Sequence, residues 1–136
     1  MKCLIVEDDP VSSKLLQTFI SGYGDCTIVV NGLEAVEAVG DALDKGQPYD
    51  LICLDIMLPE MDGHNTLKEI RQIEKDHAID KADGAKVVMT TALSDVRNIG
   101  KAFATGCEAY LVKPYIREEL LKRMKKFGLI ESETSK

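Results

Sequence analysis

The stretch Leu-Ile-Cys-Leu-Asp at residues 51–55 is an apolar run that stops abruptly at a carboxylate, Asp55. Three further apolar runs also stop at a polar side chain: residues 3–6 at Glu7, residues 87–89 at Thr90 and residues 110–112 at Lys113. Such runs are typical of buried parallel strands, whose carboxyl ends share one edge of a sheet. Open α/β proteins bind their ligands at that edge, so acid, hydroxyl and ammonium groups are expected to meet there.

Segments with helical spacing separate these runs. In the first of them, Val11, Leu15 and Phe19 recur every four positions, and four similar stripes follow along the chain. A short run at residues 26–30 adds one more strand. Five strands alternating with five helices imply right-handed crossovers and a parallel sheet covered by helices on both faces. We therefore predict an α/β, flavodoxin-like, doubly wound fold whose five-stranded parallel sheet has the order 2-1-3-4-5.

Length and composition indicate one domain. A chain of 136 residues that is 45% hydrophobic can bury an ordinary core, and we place the domain at residues 1–128, followed by a polar tail at 129–136. The formal net charge of -6 argues against direct nucleic-acid binding, which requires a basic surface. No run approaches the roughly 18 apolar residues of a membrane span, so no membrane contact is expected. Four cysteines without a CxxC pair suit reduced thiols and a cytoplasmic location.

Carboxylates gather at the predicted edge, where Asp8 and Asp9 follow the first strand and Asp55 ends the third. An Asp before a Pro is also a common helix start, so Asp9 could be merely structural. Three acids at one edge repel unless a cation neutralises them, and hard oxygen ligands favour Mg²⁺. With a metal and the Lys113 ammonium nearby, Asp55 could accept a phosphoryl group and form an acyl phosphate.

Hydroxyl and aromatic groups also lie near this edge. Strand alternation lets only one of Thr90 and Thr91 point into a cleft, where its hydroxyl could donate to a phosphoryl oxygen. Both could equally be ordinary β-branched strand residues. Tyr110 opens the fifth strand and, taken alone, is a core or interface residue.

These motifs resemble the receiver domain of two-component response regulators over nearly the whole chain. The resemblance is carried, in the family's order, by Glu7-Asp8-Asp9, by Asp55 with residues 57–63 downstream, by Thr91-Ala92 and by residues 110–114. It implies that Asp55 is the phosphoacceptor. It also implies that Asp9, Asp55 and the main-chain carbonyl of Met57 bind Mg²⁺ directly, and that Asp8 acts through bound water.

The same resemblance implies a signalling switch rather than an enzyme. Thr91 and Lys113 match the hydroxyl and the ammonium that sense the phosphoryl group, and Tyr110 matches the aromatic that turns inward on activation. A cis peptide bond is implied at Lys113-Pro114. A sensor histidine kinase or phosphotransfer protein would phosphorylate Asp55. The fourth helix, fifth strand and fifth helix would then present a changed surface to a downstream protein or to a second copy of the chain.

Three alternative functions match these residues less closely. A receiver-like module that binds proteins without phosphorylation usually lacks an acid, the Thr or the Lys, and none of them is missing here. A haloacid dehalogenase-type hydrolase resembles this chain less, because Met57 stands where its second Asp is required. A flavodoxin needs a phosphate-binding loop rich in Thr, Ser and Gly, and the acidic loop at residues 7–10 is its electrostatic opposite.

Two apolar positions predict a long-lived phosphoryl group. Met57 lies two residues after Asp55, and Leu93 lies two residues after Thr91. Neither side chain can orient a water molecule for attack on an acyl phosphate, and both could shield it. We therefore expect slow self-dephosphorylation.

Overall fold

The computed structural model describes residues 1–58, 60–80, 83–92 and 99–131, without the side chain of Ile99. The strands in these residues are β1 (Lys2–Val6), β2 (Asp25–Val29), β3 (Leu51–Asp55), β4 (Lys86–Thr91) and β5 (Ala109–Val112). The helices are α1 (Pro10–Ile20), α2 (Gly32–Asp44), α3 (Gly63–Asp76), α4 (Ile99–Thr105) and α5 (Arg117–Lys126). Strand and helix alternate along the chain, as predicted.

The five strands form one parallel sheet in the order β2-β1-β3-β4-β5. This confirms the doubly wound topology that the sequence predicts. Val6 pairs with Leu54, and Asp55 pairs with Thr90, so the ends of β1, β3 and β4 are level with one another. The polar residues that terminate these strands therefore share one edge, which we call the carboxyl edge of the sheet.

The core lies in two layers, one on each face of the sheet. Leu4 and Ile52 belong to the layer that packs against α2 and α3, whereas Cys3 and Leu51 belong to the layer beneath α1 and α5. Successive residues of the central strands thus enter opposite layers, which explains why these strands are continuous apolar runs. The sheet is consequently covered on both faces and holds its carboxyl edge rigidly.

The predicted apolar stripe of α1 is wrong by one position. Leu16 and Ile20 are buried, whereas Val11 is 75% exposed and Leu15 is 37% exposed. The two candidate stripes lie side by side on the helix, and only the packing against β1 and β2 decides which one is covered. The exposed residues therefore leave an apolar flank on α1. The predicted stripe of the fourth helix began at Val96, which lies outside the described residues.

The cysteines contribute to packing and form no disulfide. Cys3, Cys53 and Cys107 are buried, Cys26 is half-buried, and all four are free thiols. Burial raises the pKa of Cys107 to about 11, so this thiol stays protonated and behaves as a small apolar group. In the part of the chain that the structure covers, none of the helices has the length and apolar character needed to cross a bilayer.

Candidate functional site

Three carboxylates meet at the carboxyl edge of the sheet. Glu7 follows β1, Asp8 comes next along the chain, and Asp55 ends the neighbouring strand β3. One oxygen of each carboxylate lies within 4.8 Å of the other two. Glu7 and Asp55 are only 1% and 3% exposed, whereas Asp8 is exposed to solvent. We call these three residues the acid cluster; it is buried on one side and open on the other.

Lys113 supplies the ammonium that faces the acid cluster. Its Nζ atom lies 3.3 Å from Oδ2 of Asp55 and 3.2 Å from Oε1 of Glu7. Burial alone would lower the pKa of Lys113, but the charges of Asp55 and Glu7 outweigh it and raise this pKa. Lys113 therefore remains charged. The peptide bond between Lys113 and Pro114 is cis, as the resemblance implied.

Charge in the acid cluster is only partly compensated. Three carboxylates face one ammonium group, which leaves two negative charges in excess among the described residues. Burial raises the pKa of Glu7, and the nearby Asp55 carboxylate raises it further. Closely spaced oxygen ligands with excess negative charge are the donor set that Mg²⁺ and similar hard cations prefer. The residues present therefore fit the metal expected from the sequence.

Asp9 lies outside the acid cluster and caps helix α1. Its Oδ1 atom accepts a hydrogen bond from the backbone N–H of Val11 (3.3 Å), and its Oδ2 atom accepts one from the hydroxyl of Ser12 (2.7 Å). The Ser12 hydrogen bond lowers the pKa of Asp9. The structure thus brings Asp8 and Asp55 together but adds Glu7 in place of Asp9. The direct metal role expected for Asp9 stays a prediction, and the hydrogen bonds that turn its carboxylate toward the helix are an observation against it.

Two residues of this site, Glu7 and Tyr115, were given no metal or phosphoryl role from the sequence, although Glu7 was noted at the end of the first apolar run. The phenol of Tyr115 donates to Oε1 of Glu7 at 3.0 Å, and both side chains are buried. Glu7 could have been found from its position directly after an apolar strand, which was the argument applied to Asp55. Tyr115 gave no such signal, since only the turn after β5 brings it to the end of β1.

Met57 and Gly63 shape the surroundings of Asp55. The backbone N–H of Met57 donates to Oδ1 of Asp55 at 2.9 Å, while its side chain is 61% exposed beside the cluster. A Cβ atom on Gly63 would collide with the carbonyl oxygen of Asp55, so glycine is needed where α3 meets the end of β3. The expected role of the Met57 carbonyl as a metal ligand stays a prediction. Leu93 lies outside the described residues.

Thr91 ends β4 as a fully buried residue, and its hydroxyl donates to the neighbouring carbonyl of Ala92 at 3.1 Å. Tyr110 is half-buried and packs edge-to-face against Phe103 of α4, with ring centroids 6.2 Å apart. The Tyr110 carbonyl accepts a 2.7 Å hydrogen bond from Nε of Arg123 on α5. Tyr110 thus connects α4, β5 and α5, the three elements of the predicted output surface.

Comparison with known proteins places these observations in a family. The model of the response regulator receiver domain matches residues 3–125. The transcriptional regulatory protein CiaR of Streptococcus pneumoniae is 34% identical over 124 residues, which cover 91% of this chain and 50% of CiaR. The chain thus spans about half the length of the curated relatives it matches first.

Solved structures agree with this match. The receiver domain of Ssk1 from Saccharomyces cerevisiae, crystallised with the histidine phosphotransfer protein Ypd1, has a TM-score of 0.79 at 30% identity. That similarity covers 94% of this chain and 88% of the other. The receiver domain of the sensor histidine kinase PA1611 from Pseudomonas aeruginosa, with magnesium in its active-site cleft, has a TM-score of 0.73 at 28% identity, covering 93% and 95% of the two chains. The chain therefore belongs to the family of response regulator receiver domains.

Proposed function

We propose that this domain is a Mg²⁺-dependent phosphoacceptor switch that is phosphorylated on Asp55. The observation that carries the proposal is the environment of the Asp55 carboxylate. Its Oδ2 atom faces the ammonium of Lys113, and its Oδ1 atom accepts the N–H of Met57. This buried carboxylate is held in one orientation at an edge that is open through Asp8, so a phosphoryl donor can approach it.

Glu7, Asp8 and Asp55 would hold the metal, with the Met57 carbonyl as the further ligand that the family implies. A bound Mg²⁺ supplies Lewis-acid stabilisation of the negative charge on the transferring phosphoryl group. Lys113 adds a fixed positive charge on the other side of Asp55. Asp9 is needed for neither contact, since its carboxylate caps α1.

In the transfer step, an Asp55 oxygen forms a new bond to phosphorus while the bond from phosphorus to the donor's imidazole or acyl oxygen breaks. The electron pair of the broken bond leaves with the donor. The Lys113 ammonium, which faces Asp55 before the transfer, would then face the oxygens of the new phosphoryl group. The Thr91 hydroxyl, which now donates to Ala92, would turn to donate to a phosphoryl oxygen, and Tyr110 would move into the space that Thr91 leaves.

The donor is a sensor histidine kinase or a histidine phosphotransfer protein. Val11, Leu15 and Met57 expose apolar side chains on α1 and on the loop after β3, beside the acid cluster. An apolar surface next to the phosphoacceptor suits a helical protein that must present a histidine to Asp55. The Ssk1 receiver domain, which shares this fold, crystallises with a phosphotransfer protein.

The output partner would bind α4, β5 and α5. Phe103, Tyr110 and the basic residues Lys122, Arg123 and Lys126 line a cavity of about 390 Å³ on this face. A downstream protein with an apolar and acidic surface would complement it, and a phosphorylation-dependent homodimer through the same face is the alternative occupant. We place this signalling domain at residues 1–128, with 129–136 as a polar tail, and in the cytoplasm.

Incubation with acetyl phosphate and Mg²⁺, followed by intact mass measurement, tests the proposal. The wild-type protein should gain the mass of one phosphoryl group, Asp55→Asn should gain none, and the control Asp41→Asn on α2 should behave as wild type. A wild-type protein that gains no mass, or an Asp55→Asn variant that gains the same mass, would overturn the assignment. The first outcome would favour a module that binds proteins without phosphorylation, and the second would place the phosphoryl group on another residue.

A further inference from the structure

We propose that Tyr115 is a positioning residue for the metal site, whose phenol holds the Glu7 carboxylate in the orientation in which it contributes to the acid cluster. The inference rests on the proposed function and extends it to a residue outside the cluster. Tyr115 would touch neither the metal nor the phosphoryl group. It would act through Glu7 alone.

Several groups surround the Glu7 carboxylate and hold it in place. Its Oε1 atom accepts a hydrogen bond from the phenol of Tyr115 at 3.0 Å and forms an ion pair with Nζ of Lys113 at 3.2 Å. Its Oε2 atom accepts the backbone N–H of Asp9 at 3.2 Å. The terminal torsion of a glutamate is otherwise broad and roughly two-fold. Donors on both oxygens fix this torsion, with one oxygen of Glu7 held within 4.8 Å of oxygens of Asp8 and Asp55.

The phenol of Tyr115 is itself fixed by the packing of its ring. Tyr115 is 6% exposed and belongs to the core layer beneath α1 and α5, so its ring cannot swing away from Glu7. The Nζ atom of Lys113 lies 5.9 Å from the centre of the same ring.

The hydrogen bond from Tyr115 to Glu7 can be removed without disturbing the packing of the ring. Phenylalanine at position 115 would fill nearly the same volume and keep the ring in the core. Only the donor to Glu7 would be lost, and a hydrogen bond to a charged acceptor is stronger than one between neutral groups. Lys113 and the Asp9 N–H would still hold Glu7, so we expect part of this contribution, equivalent to about a fivefold change in Mg²⁺ affinity.

The experiment compares Tyr115→Phe with Tyr49→Phe, which changes a buried tyrosine that stacks with Lys2 away from the cluster. Isothermal titration with Mg²⁺ should show a Kd about fivefold higher for Tyr115→Phe and an unchanged Kd for Tyr49→Phe. The melting temperature in EDTA should fall no more for the first variant than for the second.

A second pair of variants tests the route through Glu7. Glu7→Asp shortens the side chain and withdraws the carboxylate from the phenol, so adding Tyr115→Phe to this background should change the Kd less than twofold. Equal Mg²⁺ affinity of wild type and Tyr115→Phe would overturn the inference, and so would an undiminished effect in the Glu7→Asp background. A wild-type protein that binds no Mg²⁺ would instead overturn the proposed function, and the inference with it.

Discussion

The two edges of the sheet use charge in opposite ways. At the carboxyl edge, Glu7, Asp8 and Asp55 face the ammonium of Lys113. At the opposite edge, where the strands begin and which we call the amino edge, Arg71 of α3 lies between Glu74 and Glu108. Both sites contain more acids than bases, and both hold buried or half-buried charges.

The difference lies in how completely the polar atoms are satisfied at each edge. Arg71 donates to both glutamates and to the carbonyls of Ala85 and Gly106, and the glutamates accept further backbone N–H groups. Each charged side chain of this network has hydrogen-bond partners within it, and these bonds connect α3 to the starts of β4 and β5. The acid cluster is open through Asp8 and keeps uncompensated negative charge. A satisfied network stabilises the fold, whereas an unbalanced one provides a site for a ligand.

The largest expected effect is a loss of Mg²⁺ affinity at the carboxyl edge. Asp8→Asn should weaken Mg²⁺ binding about 100-fold, because even indirect partners of a metal ligand contribute factors of 10–100. Asp9→Asn is the matched control, since asparagine caps a helix as well as aspartate does. Isothermal titration should show less than a twofold change for the control. Equal losses in both variants would restore Asp9 as a direct ligand.

The next largest effect is a loss of folding stability at the amino edge. Arg71→Met should lower the free energy of unfolding by about 2 kcal/mol, because it leaves Glu74 and Glu108 without their cation. This is less than a fully buried pair would lose, since 17% of the Arg71 side chain is exposed. Urea unfolding measures the change, and Lys75→Met on the exposed side of α3 should stay within about 0.5 kcal/mol of wild type.

The same Arg71→Met protein sharpens the comparison, because its Mg²⁺ affinity should remain that of wild type. The network ties α3 to the amino edge of the sheet and contributes no atom to the acid cluster. A large loss of Mg²⁺ binding in a folded Arg71→Met protein would show that the two edges are coupled.

A smaller effect concerns the lifetime of the phosphoryl group. Met57→Asn should speed phosphate loss from Asp55 about tenfold, because an amide beside the acid cluster can orient a water molecule, which a thioether cannot. Met57→Leu keeps the position apolar and should leave the rate unchanged. The decay of phosphorylated protein, followed by intact mass after removal of the donor, gives both rates; unchanged or slower loss in Met57→Asn would contradict the prediction.

The smallest effect tests an exposed pair near the amino edge. A hydrogen bond to Asp44 (2.8 Å) raises the pKa of His77, which ends α3. Because the folded pKa lies above the unfolded value of about 6.5, the stabilisation is complete below pH 6.5 and is lost as the pH rises through the folded pKa. Urea midpoints between pH 5.5 and 8.5 should fall slightly more for wild type than for Asp44→Asn. Parallel curves would mean that the pair contributes nothing.

The sequence was sufficient for the fold because the central strands β1, β3 and β4 are buried on both faces. Continuous apolar runs such as residues 51–54 have only one environment that suits them, and each ends at a polar residue that the parallel topology brings to one edge. The helix faces were harder to predict. On α1, Val11 and Leu15 have the same spacing as Leu16 and Ile20, so periodicity alone could not choose between them.

The sequence by itself determined the doubly wound fold, Asp55 at its carboxyl edge and the Lys113 ammonium that faces it, whereas the role of the Thr91 hydroxyl stays a prediction. Only the tertiary structure decided which of three consecutive acids join Asp55. Glu7 leaves β1 into the buried end of the sheet, whereas Asp9 turns to satisfy the first N–H groups of α1. The same is true of Tyr115, which lies 108 positions along the chain from Glu7 and reaches it only through packing. Spacing along a chain fixes which side chains follow each strand, but the orientation of a carboxylate depends on donors that are distant in sequence.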